Sequence, residues 1–328
     1  MKQLLPSVFF LLLAVTHFAQ TDLKDPSFEE VLSLQNVGNP ILSPDGNHVA
    51  YWLSKCDWND NRWDREIWLS KNGGPAFQLT NTAKGSSGNI QWSPDGQWIS
   101  FTANRGDKNQ IYVIHINGGE AIQVTHEDNG LNDYQWMPDG KSFIVTKSEP
   151  KPKSDKRSDR YGAYSIDDKD YKLSWLYRIE FNPLAPHPSE LPCYDKKEKK
   201  GQSWDCIEWA KAEALIDSVD FTIRNFVIAP DGKHIAFTHS PDPLINSFLK
   251  SDISILDLAT KSVKSIVANP SSDSFIDWSP DGQQILYSSD LDNNTSNFFT
   301  NNRLFISAPD GTGQKEIAQD FDEDIGVM

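Results

Sequence analysis

The chain has 328 residues, with 31 Lys and Arg against 46 Asp and Glu, and a formal net charge of −15. That length fits one large all-β domain or two ordinary ones, and a hydrophobic content of 38%, with 11 Trp and 17 Phe, supports a folded core. The acidic balance argues against nucleic acid as a partner, because phosphate binding needs clustered Lys and Arg; it reads as a solvated acidic surface.

In chain order, residues 1–20, MKQLLPSVFFLLLAVTHFAQ, have the form of an export signal: Lys2 at the start, then an apolar run from Leu4 to Val15 broken only by Pro6 and Ser7. The run is too short to span a bilayer. Removal is expected near Ala19 or Gln20, with His17 an awkward residue two places before Ala19, and no Cys follows to carry a lipid. The expected mature product is periplasmic or secreted, with no membrane association after cleavage. Residues 21–38 form a lead-in in which SFEEVLSL (27–34) predicts a short helix, Ser27 and Glu30 having capping-box spacing.

From residue 39 onward one turn recurs. It reads LSPDG at 42–46, WSPDG at 92–96, WMPDG at 136–140, IAPDG at 228–232 and WSPDG at 278–282. The corner residues are Pro44, Asp45, Gly46; Pro94, Asp95, Gly96; Pro138, Asp139, Gly140; Pro230, Asp231, Gly232; and Pro280, Asp281, Gly282. Proline pre-sets φ, Asp caps the turn with its side chain, and Gly accepts positive φ, so each corner predicts a tight reversal between two strands. After each glycine a bulky pair follows at period two: Val49/Tyr51, Ile99/Phe101, Phe143/Val145, Ile235/Phe237 and Ile285/Tyr287. Between them stand Ala50, Ser100, Ile144, Ala236 and Leu286, the pattern of a strand covered on both faces.

A second strand pair follows at 65–80, 109–125, 251–267 and 302–318, the APDG of the last being its hairpin turn. The turn aspartates are spaced by 50, 44, 92 and 50 residues. Four strands per repeat of roughly 40–50 residues predict an all-β fold, a β-propeller of antiparallel blades with about five blades in an incomplete ring. The expected blades lie near 39–81, 89–126, 133–217, 225–268 and 275–318, all within a partial propeller over 39–328. The double step is read as one blade with long insertions, WLYRIEF (175–181) serving as third strand and CIEWAKAEALID (206–217) as fourth.

Little else carries chemistry. No G-x-S-x-G elbow, H-E-x-x-H, Walker loop or dinucleotide fingerprint occurs, so catalytic, cofactor-binding and metal residues are all expected to be absent. DWNDNRWD (57–64) and DLDNNTSN (290–297) begin like calcium loops but lack the Gly and Glu that such loops need, and read as solvated hairpin loops. Asn293 and Asn294 each open a glycosylation sequon. Cys193 and Cys206 either pair in an oxidising compartment or stand with Cys56 as three unpaired thiols.

The corners resemble those of TolB-type periplasmic propellers. DRYGAYSIDDKDYKLSWLYRI (159–179), DFTIRNFVIAPDGKHIAFTHSPDP (220–243) and FDEDIG (321–326) resemble the amino-terminal propeller of the prolyl oligopeptidase family, in its acylaminoacyl-peptidase and dipeptidyl-peptidase-like branch. That resemblance covers about residues 25–328 and implies a substrate-gating propeller followed by an α/β-hydrolase domain with a Ser-Asp-His triad. Peptide substrates would be met through that domain, and homo-oligomerisation of the full-length protein is compatible with it. No acidic motif for a substrate amino terminus is evident; Asp167, Asp168 and Asp170 read as solvated loop charges. A last-strand residue precedes the next Trp by 12 or 13 positions in three repeats, and adding 12 to Ile317 gives 329, so the chain is expected to be cut between blades and inactive alone. The alternative is a stand-alone TolB-like protein-binding propeller.

Overall fold

In a computed structural model, the chain is described over residues 25–82, 85–106, 108–149, 160, 162, 170–185, 209–291, 303–321 and 325. The export segment, Cys193, Cys206, Asp167, Asp168 and the two sequons lie outside the described residues.

Helix α1 (Phe28–Leu32) opens the described chain; the Ser27 hydroxyl accepts from Glu30 N–H, and the Glu30 carboxylate accepts from Ser27 N–H. Among the described residues, twenty strands follow in five four-stranded antiparallel sheets, each built from consecutive strands. Blade 1 is β1 (Asn36–Leu42), β2 (His48–Asp57), β3 (Arg62–Lys71) and β4 (Phe77–Gln78). Blade 2 is β5 (Ser87–Trp92), β6 (Trp98–Ala103), β7 (Gln110–His115) and β8 (Ile122–Gln123). Blade 3 is β9 (Asp133–Trp136), β10 (Ser142–Ser148), β11 (Ser174–Glu180) and β12 (Glu213–Ile216), the one sheet among the described residues of the double-length step. Blade 4 is β13 (Thr222–Ile228), β14 (His234–Ser240), β15 (Asp252–Asp257) and β16 (Val263–Val267). Blade 5 is β17 (Asp273–Trp278), β18 (Ile285–Ser289), β19 (Leu304–Ser307) and β20 (Lys315–Ile317).

The alternation along each second strand explains how the blades stack. Ile99 and Phe101 face back to blade 1, while Ser100 carries the opposite face, against Tyr134 and Trp136 of blade 3. All three are fully buried, as are Phe143, Ile144 and Val145 in the next blade. Burying a side chain of this size stabilises by about 2 kcal/mol, and a sheet covered on both faces gains it from both sides. Four apolar clusters therefore fill the four seams between consecutive blades.

The exceptions mark the ends of the arc. Val49 and Tyr51 are only half-buried because no blade lies on their side, and Leu286 is half-buried on the opposite side of blade 5. Among the described residues the ring is not closed: no strand of blade 5 pairs with blade 1.

Candidate functional site

Each corner is the same object. The glycine N–H of Gly46, Gly96, Gly140, Gly232 and Gly282 donates to the carbonyl three residues earlier at 2.8–2.9 Å. Their φ angles run from 65° to 72°, where a side chain is disfavoured. The aspartate of each corner accepts from the backbone N–H two residues on, for example Gln97 to Asp95 at 3.0 Å and Lys233 to Asp231 at 2.8 Å. In blades 1, 2 and 5 a serine precedes the proline, and Ser43, Ser93 and Ser279 donate to the corner carboxylates at 2.5–2.6 Å. These donors hold Asp45 well below its usual range, at about 2, the Ser43 hydroxyl contributing most. Blades 3 and 4 put Met137 and Ala229 there, and in blade 4 His234 takes over as partner of Asp231 at 3.0 Å.

The corners interlock. A Cβ on Gly96 would meet Pro44 at 3.7 Å, on Gly140 Pro94 at 3.8 Å, on Gly232 Pro138 at 3.6 Å, and on Gly282 Pro230 at 3.9 Å. Each glycine thus rests on the proline of the preceding blade, while Gly46 faces nothing within 4 Å. Between the first two corners lies a cleft lined by Pro44, Asp45, His48, Pro94, Asp95, Gln97 and Ile116.

The first strands β1, β5, β9, β13 and β17 form the inner wall, and side-chain amides bridge them. Gln91 donates to Tyr134 O at 2.6 Å, Gln135 to Phe226 O at 2.8 Å and Asn225 to Phe275 O at 3.0 Å. Tryptophans at the ends of first strands add bonds of the same kind, Trp92 Nε1 donating to Ile41 O across the blade 1–blade 2 seam and Trp278 Nε1 to Val227 O across the blade 4–blade 5 seam, both at 3.2 Å. In blades 1, 2, 4 and 5 the inner strand shifts register near its middle, a bulge that turns Asn39, Asn89 and Arg224 out of the ladder. Arg224 Nε donates to Ser240 Oγ at 2.7 Å, and its Nη2 donates to the carbonyls of Asp242 and Leu244 at 3.2 Å. It ties the wall to a loop carrying a 3-10 helix (Ile245–Lys250), on which Ile245 is 83% exposed.

One Ser–His contact exists among the described residues outside the corners: His239 Nε2 lies 2.9 Å from Ser254 Oγ. Ser254 is 3% exposed, His239 packs against Phe221 and Phe237, and burial pushes the imidazole's pKa down. Asp252, opposite His239 in the ladder, makes no hydrogen bond to it, so the His239–Ser254 contact, between neighbouring strands of blade 4, lacks the third member of a triad. Burial, with the charge of Asp273, raises the Asp252 carboxyl to about 6. Among the described residues no group of three or more His, Cys, Asp or Glu is placed to hold a metal ion. Asp57 accepts from Asn59 and Asp60 N–H and pairs with Arg62 at 3.5 Å, which uses its oxygens inside the hairpin loop. Cys56 is half-buried and unpaired.

Sequence reasoning missed the amide bridges and Arg224, because they depend on how one blade meets the next. The one signal available was the glutamine just before Trp92 and Trp136, where the first and fourth repeats carry the apolar Ile41 and Val227.

Comparison with known proteins agrees with this architecture. Residues 21–161 match the family described as the TolB beta propeller domain. Dipeptidyl-peptidase 5 of Porphyromonas gingivalis is 27% identical over 314 residues, covering 92% of this chain and 44% of that protein. An uncharacterized peptidase, YuxL of Bacillus subtilis, is 33% identical over 123 residues, covering 37% of this chain and 18% of that one. The chain spans less than half the length of the curated relatives it matches. Among solved structures, the acylaminoacyl peptidase of Pyrococcus horikoshii superposes with a TM-score of 0.58 at 17% identity, covering 90% of this chain and 41% of that one. The chain is thus a β-propeller whose first part matches the TolB beta propeller domain, which is similar in sequence to the dipeptidyl-peptidase 5 and YuxL peptidases, and which shares its fold with part of an acylaminoacyl peptidase.

Proposed function

We propose that this chain is the substrate-gating propeller part of an exported serine peptidase that acts on peptides. The observation that carries the reading is the similarity to a dipeptidyl-peptidase along 92% of the chain but only 44% of the relative. The 328 residues contain no nucleophile elbow, so acyl transfer through a serine ester would belong to a hydrolase domain joined to this propeller. The bridged inner wall supports the gating role: amide-to-carbonyl bonds tie the first strands of blades 2 to 5 to one another. The apolar run of residues 4–15 supports export to the periplasm or the medium.

The test is hydrolysis of dipeptide and acyl-amino-acid reporters by this chain alone and by the product of the whole reading frame. The expected result is no turnover by the chain and turnover by the longer product; turnover by the chain itself would refute the assignment. The match to the TolB domain favours a second reading, a protein-binding propeller. It would be favoured by a reading frame that contains no hydrolase domain.

A further inference from the structure

The seam between blades 1 and 2 contains two hydrogen-bond donors that no protein group satisfies. Arg65 lies on β3, in ladder register with Ser54, on the face that also carries Ile67 and Leu69 toward blade 2. Its guanidinium carbon lies over the Trp52 indole, 4.3 Å from the ring centre, and its Nε is buried without a hydrogen-bond partner. Nη1 reaches the inner strand of blade 2, 3.7 Å from where a Cβ on Gly88 would stand. Across the seam, Ser87 pairs with Ala103, a residue of the blade 1–blade 2 cluster, so its side chain faces blade 1. Ser87 is fully buried, and its Oγ also has no partner. Buried donors of this kind are rare, because each costs about 1–3 kcal/mol when left unpaired.

The other seams show what this position does when it is satisfied internally. Counted through the ladder from the corner glycine, the residue equivalent to Ser87 is Asn132 in blade 3, Ile223 in blade 4 and Asp273 in blade 5. Asn132 Nδ2 donates to Ser174 Oγ at 2.9 Å, and Ile223 is apolar, buried in the blade 3–blade 4 cluster, and needs no partner. In blade 5 the position is itself a carboxylate: Asp273 accepts from Asn269 N–H and Nδ2, both at 3.0 Å. Among the described residues, the seam between blades 1 and 2 has the complementary set, a cation and a hydroxyl, with no carboxylate bonded to either. The nearby acids are used elsewhere. Asp64 pairs with Lys55 and Arg62, Asp57 and Asp60 pair with Arg62, and Glu66 accepts from Thr80 Oγ1 and Thr82 N–H. A second guanidinium, Arg105, stands at the same seam on the Tyr112 ring, 4.6 Å from its centre, bonded to Thr82 Oγ1 and to no carboxylate.

We propose that Arg65, with Ser87 Oγ and with Arg105 adding charge, forms a carboxylate-binding site at the inner edge of the blade 1–blade 2 seam. A planar fork held on an aromatic face offers two parallel N–H groups to a carboxylate, the geometry for which arginine is suited. That the carboxylate is a peptide's rests on the reading of this propeller as part of a peptidase; that it is a carboxylate does not.

The experiment titrates the chain with N-acetyl-trialanine bearing a free carboxylate, with the same peptide as its amide, and with acetate, following the arginine Nε–H resonances and Trp52 fluorescence against a Trp52→Phe control. The free acid should move the Arg65 Nε–H signal and the amide should not. Arg65→Gln should weaken binding of the acid by roughly tenfold or more, with Arg65→Lys intermediate. Ser87→Ala, which removes one hydroxyl from the core and leaves the arginine in place, should cost a few-fold. Acetate binding as tightly as the peptide acid would support the site and assign it to small carboxylates. Equal affinity for acid and amide, an unmoved Arg65 signal, or unchanged binding by folded Arg65→Gln or Ser87→Ala would overturn it. Reporter hydrolysis is a separate measurement, so failure of the peptidase reading leaves this outcome legible.

Discussion

Gly140 rests on Pro94 at ordinary contact distance and has a φ of 68°, whereas Gly46 has a φ of 72° and no neighbour. If the corner glycines are there for backbone conformation, Gly46→Ala and Gly140→Ala should cost the same, about 1–2 kcal/mol each by urea denaturation. If contact with the preceding proline mattered more, only Gly140→Ala would be costly. Charge at single residues sets opposite pH trends. The folded-state value of Asp252, about 6, lies above the ordinary 3.8, so the stability attached to its proton is complete below the ordinary value and lost as pH rises through 6. Asp252→Asn should remove that loss and raise the urea midpoint at pH 7.5 relative to the parent, by about 1 kcal/mol after solvent screening. Asp45, held at about 2, acts in the other sense: its contribution is present above the ordinary aspartate value and lost as pH falls through 2.

Within a blade, third and fourth strands share a lock that explains why Asp252 is the exception. In blade 1, Thr80 Oγ1 accepts from Ile67 N–H at 2.9 Å and donates to Glu66 at 2.5 Å; in blade 2, Thr125 Oγ1 accepts from Ile111 N–H at 2.9 Å and donates to Gln110 at 2.8 Å. Blade 4 has Val267 where the threonine belongs, opposite Ile253, so Asp252 has no hydroxyl donor. Val267→Thr should supply one and pull the Asp252 titration down toward the ordinary aspartate range, as followed by side-chain carboxyl resonances; no movement would show that the lock does not transfer between blades. Strands and corners were legible in the sequence because they depend on neighbours two to five residues apart: Ile99 and Phe101 announce a strand by themselves. The candidate site was not. Arg65 and Ser87 belong to different sheets, and Gln91 meets Tyr134 only once blades 2 and 3 are packed.

At the scale of the molecule, the two end faces differ from the four seams in what they leave uncovered. Val49 and Tyr51 on blade 1 and Leu286 on blade 5 occupy positions whose counterparts are fully buried inside the arc. Exposed apolar sheet of this kind promotes self-association. Val49→Thr with Leu286→Gln should therefore reduce light scattering by the purified chain while lowering the denaturation midpoint little. A large loss of stability with no gain in solubility would show that both faces are already covered.

The interlocked corners have one more implication. Every join between successive sheets uses a proline from one and a glycine from the next, and the four joins agree to within a few tenths of an ångström. Parts joined by one standard fitting are interchangeable, so a sheet can be excised or duplicated without redesigning its neighbours. Removing blade 4 from one Pro-Asp-Gly to the next would bring Gly282 onto Pro138, the same fitting as before.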